Sequence, residues 1–479
     1  MSRAILAIAA AMLSGCAVGP RFQPPAAPPV RSYTPQPFPA QTVAAPVPGG
    51  EMQRFVDDMD IPAEWWTLFR SPELNALVEQ ALKGNPTVQA AEAALRQANE
   101  LRAAQRGSFY PSFQANYSGT RQKDAVGTLS PALSSAAPIY SLHTAQVSVS
   151  YLLDVFGVNR RQSESLQALA DAQRFELQGA YLTLTSNMVA AAIQEAALRE
   201  QLAATHDILR SEREAAEILR HQQELGAIAQ LDVMAQETQV ATTEATLPPL
   251  EKQLAQQRHL LAVLAGRFPS DEPLQTFHLS SLALPQDIPV SIPAKLVRQR
   301  PDVREAEARL HAASALVGVA IGNMLPQITL TGTTGGTATQ FGEMFAAGNV
   351  FWTAGASLTQ TLFAGGTLLH QKRAAQAAFD EAGAQYRSVV LTAFQNVADT
   401  LRALELDAQA VSAAARAQQA AADSLAATRR NVELGSTSYL ALLNAERSYS
   451  EALLSLADAR ENRYADTAAL FQALGGGWR

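Results

Sequence analysis

The same passage occurs twice in this chain. Asn85-Pro86-Thr87-Val88-Gln89-Ala90-Ala91-Glu92-Ala93-Ala94-Leu95 returns as Arg300-Pro301-Asp302-Val303-Arg304-Glu305-Ala306-Glu307-Ala308-Arg309-Leu310. Phe109-Tyr110-Pro111 returns as Met324-Leu325-Pro326, Glu224-Leu225-Gly226 as Glu433-Leu434-Gly435, and Leu264-Ala265-Gly266 as Ala473-Leu474-Gly475. The offset is 215 at the prolines and 209 at the later matches, so the order is kept with one small gap. Solenoid repeats have periods of roughly 20–50 residues. A period this long is a whole structural unit used in tandem, and what one copy does the other is expected to do.

Only 17% of the 479 residues are charged, against roughly 25% in an average domain. The net charge of -7 argues against a nucleic-acid partner, which calls for a basic stripe. Cys16 is the single cysteine, so no intramolecular disulfide forms. It follows a basic Arg3, an apolar run from Ala4 to Leu13, and Ser14-Gly15. Ten apolar residues are too few for a membrane-spanning helix and fit the core of a secretory signal. Leu13-Ser14-Gly15-Cys16 resembles the bacterial lipoprotein signal, which implies that Cys16 is lipidated. Ala17 rather than Asp after the cysteine implies the outer membrane. The alternative is a buried N-terminal helix with an incidental cysteine. No other stretch reaches eighteen uninterrupted apolar residues, so a membrane crossing by the mature chain requires a β-barrel.

Residues 20 to 48 carry ten prolines and read as an extended tether with no core of its own. Ser71-Pro72-Glu73 is an N-cap followed by proline at the first helical position, and Leu74, Leu77, Val78 and Leu82 lie on one helical face. Gly84-Asn85-Pro86 breaks that helix, and another is expected to about Arg106. The period then changes to two: Phe113, Ala115 and Tyr117 alternate with Gln114, Asn116 and Ser118. Strands are expected at about 109–120 and 142–156, and in the second copy at about 326–336 and 349–363. Each pair precedes a long proline-free stretch rich in helix formers, 160–224 and 367–433. At 1.5 Å per residue each helix extends roughly 100 Å. Gly226 and Gly435 then supply C-caps before a returning helix. The division that follows is 1–15 signal peptide, 16–60 lipidated cysteine and tether, 61–270 first repeat, 271–294 linker, and 295–479 second repeat.

The polar residues of the four strands are nearly all uncharged Ser, Thr, Gln and Asn, and aromatics sit at strand ends. That suits a transmembrane barrel wall, although a half-buried soluble sheet shows the same alternation. Closed barrels begin near eight strands, and lipid does not tolerate open edges. Four strands must therefore be shared. A dimer's eight strands would enclose a filled interior, whereas a trimer's twelve can be hollow, with its long helices forming a tube of twelve.

Trp65-Trp66-Thr67-Leu68-Phe69, Leu74-Asn75-Ala76-Leu77-Val78, Arg300-Pro301-Asp302-Val303 and Tyr439-Leu440-Ala441-Leu442-Leu443-Asn444-Ala445-Glu446-Arg447 resemble segments of the OprM/NodT-type outer-membrane efflux lipoproteins. These belong to the outer-membrane factor (TolC-like) family. The resemblance covers nearly all of the mature chain. It implies a mainly α fold with a β-barrel portion: a homotrimer sharing a twelve-stranded barrel in the outer membrane of a Gram-negative bacterium, with a long periplasmic helical tunnel. It further implies a passive exit channel, not an enzyme, docking to a periplasmic adaptor and an inner-membrane pump of the resistance-nodulation-division type. The family carries aspartates near the periplasmic tip of the second copy. Here the corresponding positions are Ala441 and Asn444, next to Tyr439, while Asp232 stands in the first copy at the position equivalent to Ala441. Three Asp232 side chains would make an anionic ring, or Asp232 simply suits the helix dipole in the first turn. The tip is expected to prefer cations less than its family does. Gly157 and Gly365 mark strand-to-helix transitions, where permissive backbone is the simple reading.

No zinc-protease, Walker or dinucleotide motif occurs, and the seven histidines form no i, i+4 pair, so no cofactor is expected beyond the lipid on Cys16. Glu212, Arg213, Glu214, Glu217 and Arg220 read as a solvated helical charge face. A competing function is a structural or adaptor-type periplasmic lipoprotein without a pore. An adaptor would have one hairpin flanked by β-rich domains; this chain has two units of strand pair plus hairpin. A secreted hydrolase lacks any nucleophile constellation.

Overall fold

The computed structural model describes residues 17–30, 32–123, 139–271 and 275–477. Cys16, the expected lipidation site, lies outside them. No helix among the described residues is long and apolar enough to cross a membrane.

The first copy comprises α1 (Pro72–Gly84), α2 (Pro86–Arg106), β2 (Ser112–Lys123), β3 (Ile139–Leu153), α3 (Val158–Glu224) and α4 (Gln230–Leu264), preceded by a short strand β1 (Arg54–Asp57). After β4 (Asp287–Val290), the second copy repeats the order: α5 (Pro293–Gln299), α6 (Pro301–Gly322), β5 (Gln327–Ala338), β6 (Val350–Thr359), α7 (Thr367–Glu433) and α8 (Tyr439–Ala473). The outgoing helices are 67 residues each and the returning helices 35 each.

One compact unit contains residues up to Pro25, Ala94–Gln173 and Ala306–Tyr386. Its sheet is antiparallel in the order β2-β3-β5-β6, and β2 and β6 are its edges. The register aligns the alternations. Phe113, Ala115 and Tyr117 pair with Val149, Val147 and Ala145; these pair with Gly332, Thr334 and Gly336, and they in turn with Ala354, Trp352 and Val350. Side chains of paired residues share a face, so the apolar sets of β2, β3 and β6 line up on one face across Gly332, Thr334 and Gly336 of β5. On the opposite face Gln114, Asn116 and Ser118 continue through Ser148, Gln146 and Thr144 to Thr333, Gly335 and Thr337. There the Thr144 and Thr337 hydroxyls meet at 3.0 Å.

The strands differ from the expected limits for local reasons. β2 starts at Ser112, not 109, because Gly107–Phe109 forms a 3-10 turn and Pro111 has no N–H for the ladder. β3 stops at Leu153, not 156. The Asp154 carboxylate accepts the backbone N–H of Asn159 and Arg160, both at 2.9 Å, and so caps α3. β6 stops at Thr359, not 363, since Gly365 and Gly366 at φ +58° and +86° redirect the chain. Gly157, at φ +78°, does the same before α3. The N-terminal segment is also held in this unit. Arg161 donates to the carbonyls of Val18 (3.0 Å) and Gly19 (3.3 Å), and the Phe22 ring stacks on His311 at 4.3 Å.

The other unit contains Ala26–Ala93, Arg174–Glu305 and Arg387–Arg479. Trp65 is buried in its core, stacked on Phe471 at 5.3 Å and edge-on to Trp66 and Phe69. α1 begins as its sequence dictates: Ser71 Oγ accepts the Leu74 N–H at 3.2 Å, Pro72 opens the helix, and Leu74, Leu77 and Val78 are buried. The tether reading fails over residues 41–57. Gln41 bridges to Arg54, and β1 pairs in parallel with β4, which lies inside the expected linker. The fully buried Arg463 guanidinium explains this docking. It donates to Thr42 Oγ1 (3.2 Å), Gln53 Oε1 (3.4 Å) and the Glu51 carbonyl.

Candidate functional site

The two hairpin turns lie in the second unit and are built alike. Gly226 (φ +72°) donates its N–H to Gln223 O and Ala227 to Gln222 O; Gly435 (φ +69°) donates to Val432 O and Ser436 to Asn431 O. Each is a Schellman cap, which satisfies the last carbonyls of a long helix and turns the chain. Each turn exposes leucines at equivalent positions, Leu225 and Leu231 in the first copy, Leu434 and Leu440 in the second.

The structure separates the expected tip residues. Asp232 sits in the first turn of α4, and its backbone N–H donates to Ala229 O at 3.1 Å. That agrees with the dipole reading and leaves the ring untested. Ala441 is half-buried and Asn444 exposed, and neither joins a side-chain network. Tyr439 does. Its hydroxyl donates to Gln236 Oε1 at 3.4 Å, and Gln236 Nε2 donates to the Glu212 carbonyl at 2.8 Å. Gln239 Nε2 donates to Glu212 Oε1 at 3.1 Å. Arg429 donates to Ser211 Oγ at 3.2 Å and to Glu446 Oε1 at 3.3 Å. The two hairpins are thus joined side chain to side chain by Tyr439–Gln236 and Arg429–Ser211. Beside them is a cavity of about 410 Å³ whose wall includes Asp207, Glu212, Arg429 and Glu446.

Burial sets the charge states here. It raises the Tyr439 hydroxyl pKa well above the usual value, with Glu446 adding to the effect and Arg429 opposing it, so Tyr439 remains a neutral donor. Burial also raises the Glu212 and Glu446 carboxyl pKa values, against hydrogen bonds to Glu212 and the Arg429 contact to Glu446.

Glu212 corrects the solvated charge face. Leu198, Leu202, Thr205, Leu209, Glu212, Ala216 and Leu219 are all buried, at alternating spacings of four and three. This is the seam of a coiled-coil pair, and Glu212 occupies a core position in it. The spacing was available in the sequence as the signal for that burial. Arg213 and Arg220 do not make i, i+4 pairs. They reach across to Glu244 and to Glu237 (2.8 Å) on α4.

A four-stranded sheet with an apolar face and two open edges, joined in one chain to two long helical hairpins, defines a subunit class: the wall component of an outer-membrane efflux duct. The chain belongs to the outer membrane efflux protein family, which it matches over residues 77–267 and again over 292–476. It is 31% identical to the pyoverdine export outer membrane protein OpmQ of Pseudomonas putida, over 87% of this chain and 88% of that protein. Nodulation protein T of Rhizobium leguminosarum bv. trifolii is 30% identical over 98% and 96%. Among solved structures, the outer-membrane channel OprN superposes with a TM-score of 0.85 at 28% identity, covering 97% of this chain and 100% of that one. The outer membrane protein VceC of Vibrio cholerae gives 0.80 at 25% identity, over 88% and 100%. The chain is an exit channel of the efflux type, with the TolC-like fold.

Proposed function

We propose that three copies of this chain close a twelve-stranded barrel in the outer membrane and conduct small molecules passively outward. In this assembly the hairpin tips dock a periplasmic adaptor that links the duct to an inner-membrane pump of the resistance-nodulation-division type. The observation that carries the reading is the sheet itself. Its mostly apolar face runs through all four strands, and both edge strands lack strand partners among the described residues. Lipid excludes open strand edges, so β6 of one subunit pairs with β2 of the next. The exposed tip leucines supply the apolar surface an adaptor would cover.

Cys16 carries the lipid in this reading. Its neighbour Ala17 lies against Gly157, where an added Cβ would come within 2.7 Å of Ala17. The adaptor-like alternative without a pore would leave the apolar sheet face unexplained.

The test is purification in detergent followed by planar-bilayer recording. A heat-sensitive trimer that conducts ions without an energy source is the expected result. A water-soluble monomer without conductance would overturn the assembly.

A further inference from the structure

The apolar face of the sheet ends in a cluster that a plain pore wall does not require. Along β2 the residues 117, 119, 121 and 123 share that face. The Tyr117 hydroxyl meets His143 Nδ1 at 2.9 Å, with the rings 14° from parallel. A Cβ on Gly119 would come within 3.2 Å of the Tyr117 hydroxyl, so the ring leans along the strand toward the hairpin end. Phe341, from the turn after β5, folds back edge-on to both rings, 5.8 Å from Tyr117 and 6.0 Å from His143. The same turn lays the Met344 carbonyl over Gly336, where a Cβ would lie 2.0 Å away. This turn is therefore seated on the apolar face and presents an exposed Phe341.

Next along β2, toward the hairpin end, come Arg121 and Lys123. They are the only charged side chains in the four strands. Both are exposed, and neither has an ion-pair partner among the described residues. Helices join the strands at one end and hairpin turns at the other, so with periplasmic helices this collar faces the outer leaflet. Aromatic girdles mark the interfaces of outer-membrane barrels, and cations just beyond them meet lipid head groups.

We propose that the collar binds a phosphorylated saccharide lipid of the outer leaflet. The phosphate takes the charge-assisted donors of Arg121 and Lys123, and a sugar ring packs its C–H face on Phe341. Charge complementarity selects this occupant: two cations of one sign, with no anion on the strands to pair with them. The inference rests on the barrel assembly proposed above.

The test uses the full chain in detergent and native mass spectrometry with a bisphosphorylated diglucosamine lipid, its phosphate-free counterpart, and phosphatidylethanolamine. The bisphosphorylated lipid should bind tightest, and added salt should weaken it. Arg121→Glu with Lys123→Glu should lower its affinity about tenfold or more. Phe341→Ala should lower it about threefold. Arg121→Gln with Lys123→Gln serves if the charge-reversed pair misfolds. Equal binding by wild type and variants, or equal binding of the phosphate-free lipid, would overturn the site. The same spectra report the oligomer. A monomer counts against the assembly, whereas a trimer indifferent to phosphate counts against this site alone.

Discussion

An ion pair occurs at the same place in both copies, in two different settings. Arg220–Glu237 on α3 and α4 lies 209 residues before Arg429–Glu446 on α7 and α8. In the first copy both side chains are about half exposed, 54% and 46%. In the second, Glu446 is 7% exposed, and Arg429 also holds Ser211. Duplication preserved the geometry, and packing changed what the pair does. The helix ends tell the same story. Asn85 Nδ2 donates to Leu264 O at 3.0 Å, and Arg300 Nη1 donates to the equivalent Ala473 O at 2.6 Å. Different side chains close the same joint, so the joint is what the fold demands.

The returning helices diverge most. Arg463 of α8 is fully buried, and its counterpart in α4 is Leu254, half-buried. Arg463→Ala removes the donors that hold Thr42, Gln53 and the Glu51 carbonyl. It should cost about 3–5 kcal/mol and loosen residues 41–57. Leu254→Ala should cost about 1 kcal/mol, below the roughly 2–5 kcal/mol of a core leucine because Leu254 is only half-buried. Thermal unfolding and limited proteolysis of the 41–57 segment check both. Equal losses would mean that the two helices share the packing burden evenly.

The ion pairs give the next largest contrast. Arg429→Ala leaves a buried carboxylate without its guanidinium. It should cost about 2 kcal/mol, below the figure for a fully buried pair because Arg429 is half exposed. Arg220→Ala should stay under ~1 kcal/mol, as for exposed pairs. A double-mutant cycle with Glu446→Gln and Glu237→Gln isolates each coupling, and the contrast fails if the first-copy pair couples as strongly.

Much of this architecture was legible. The long helices begin and end within two residues of where composition and the Leu-Gly caps placed them, because proline-free helix formers and a Schellman glycine act locally. Strand alternation was equally local. β1 and β4 were not legible: four residues are too few to show a period, and their pairing spans more than 200 positions. Arg463 was hidden for the same reason, since its partners are some 400 residues away in sequence. Pro248 and Pro249 lie inside α4, where an isolated sequence would break the helix; packing within the hairpin overrides them. At the site, Tyr439 was among the expected tip residues, but Gln236 and Arg429 were not, because nothing local marks a glutamine as a bridge.

Acidic residues confined to the second copy give it a pH dependence. Burial and the adjacent Asp466 push the Asp407 carboxyl from 3.8 up to about 7, and burial with Asp458 raises the Glu461 carboxyl from 4.5 to about 7. The equivalent first-copy positions hold Leu198 and Lys252. Below about pH 4 the carboxyls are protonated in folded and unfolded chains alike. Between there and about pH 7 the folded chain keeps protons that the unfolded chain has released, so stability falls as pH rises. Asp407→Asn should flatten that slope and add about 1 kcal/mol at pH 8, discounted for the part-exposed site. An unchanged slope in unfolding measured from pH 4 to 8 would remove Asp407 from the account.

The smallest expected effect tests the tips, where Asp232 and Ala441 are equivalent positions with different charge. Asp232 sits in the first turn of α4, where its carboxylate suits the helix dipole. If that is its work, Asp232→Asn should barely move the reversal potential under a salt gradient. It should instead lower stability by about 0.5 kcal/mol. In the proposed trimer, Ala441→Asp would place three carboxylates, one per subunit, in the second-copy tip and should shift permeation toward cations. Strong block of the unmodified channel by multivalent cations, lost in Asp232→Asn, would instead make Asp232 the anionic ring and erase the functional difference between the two tips.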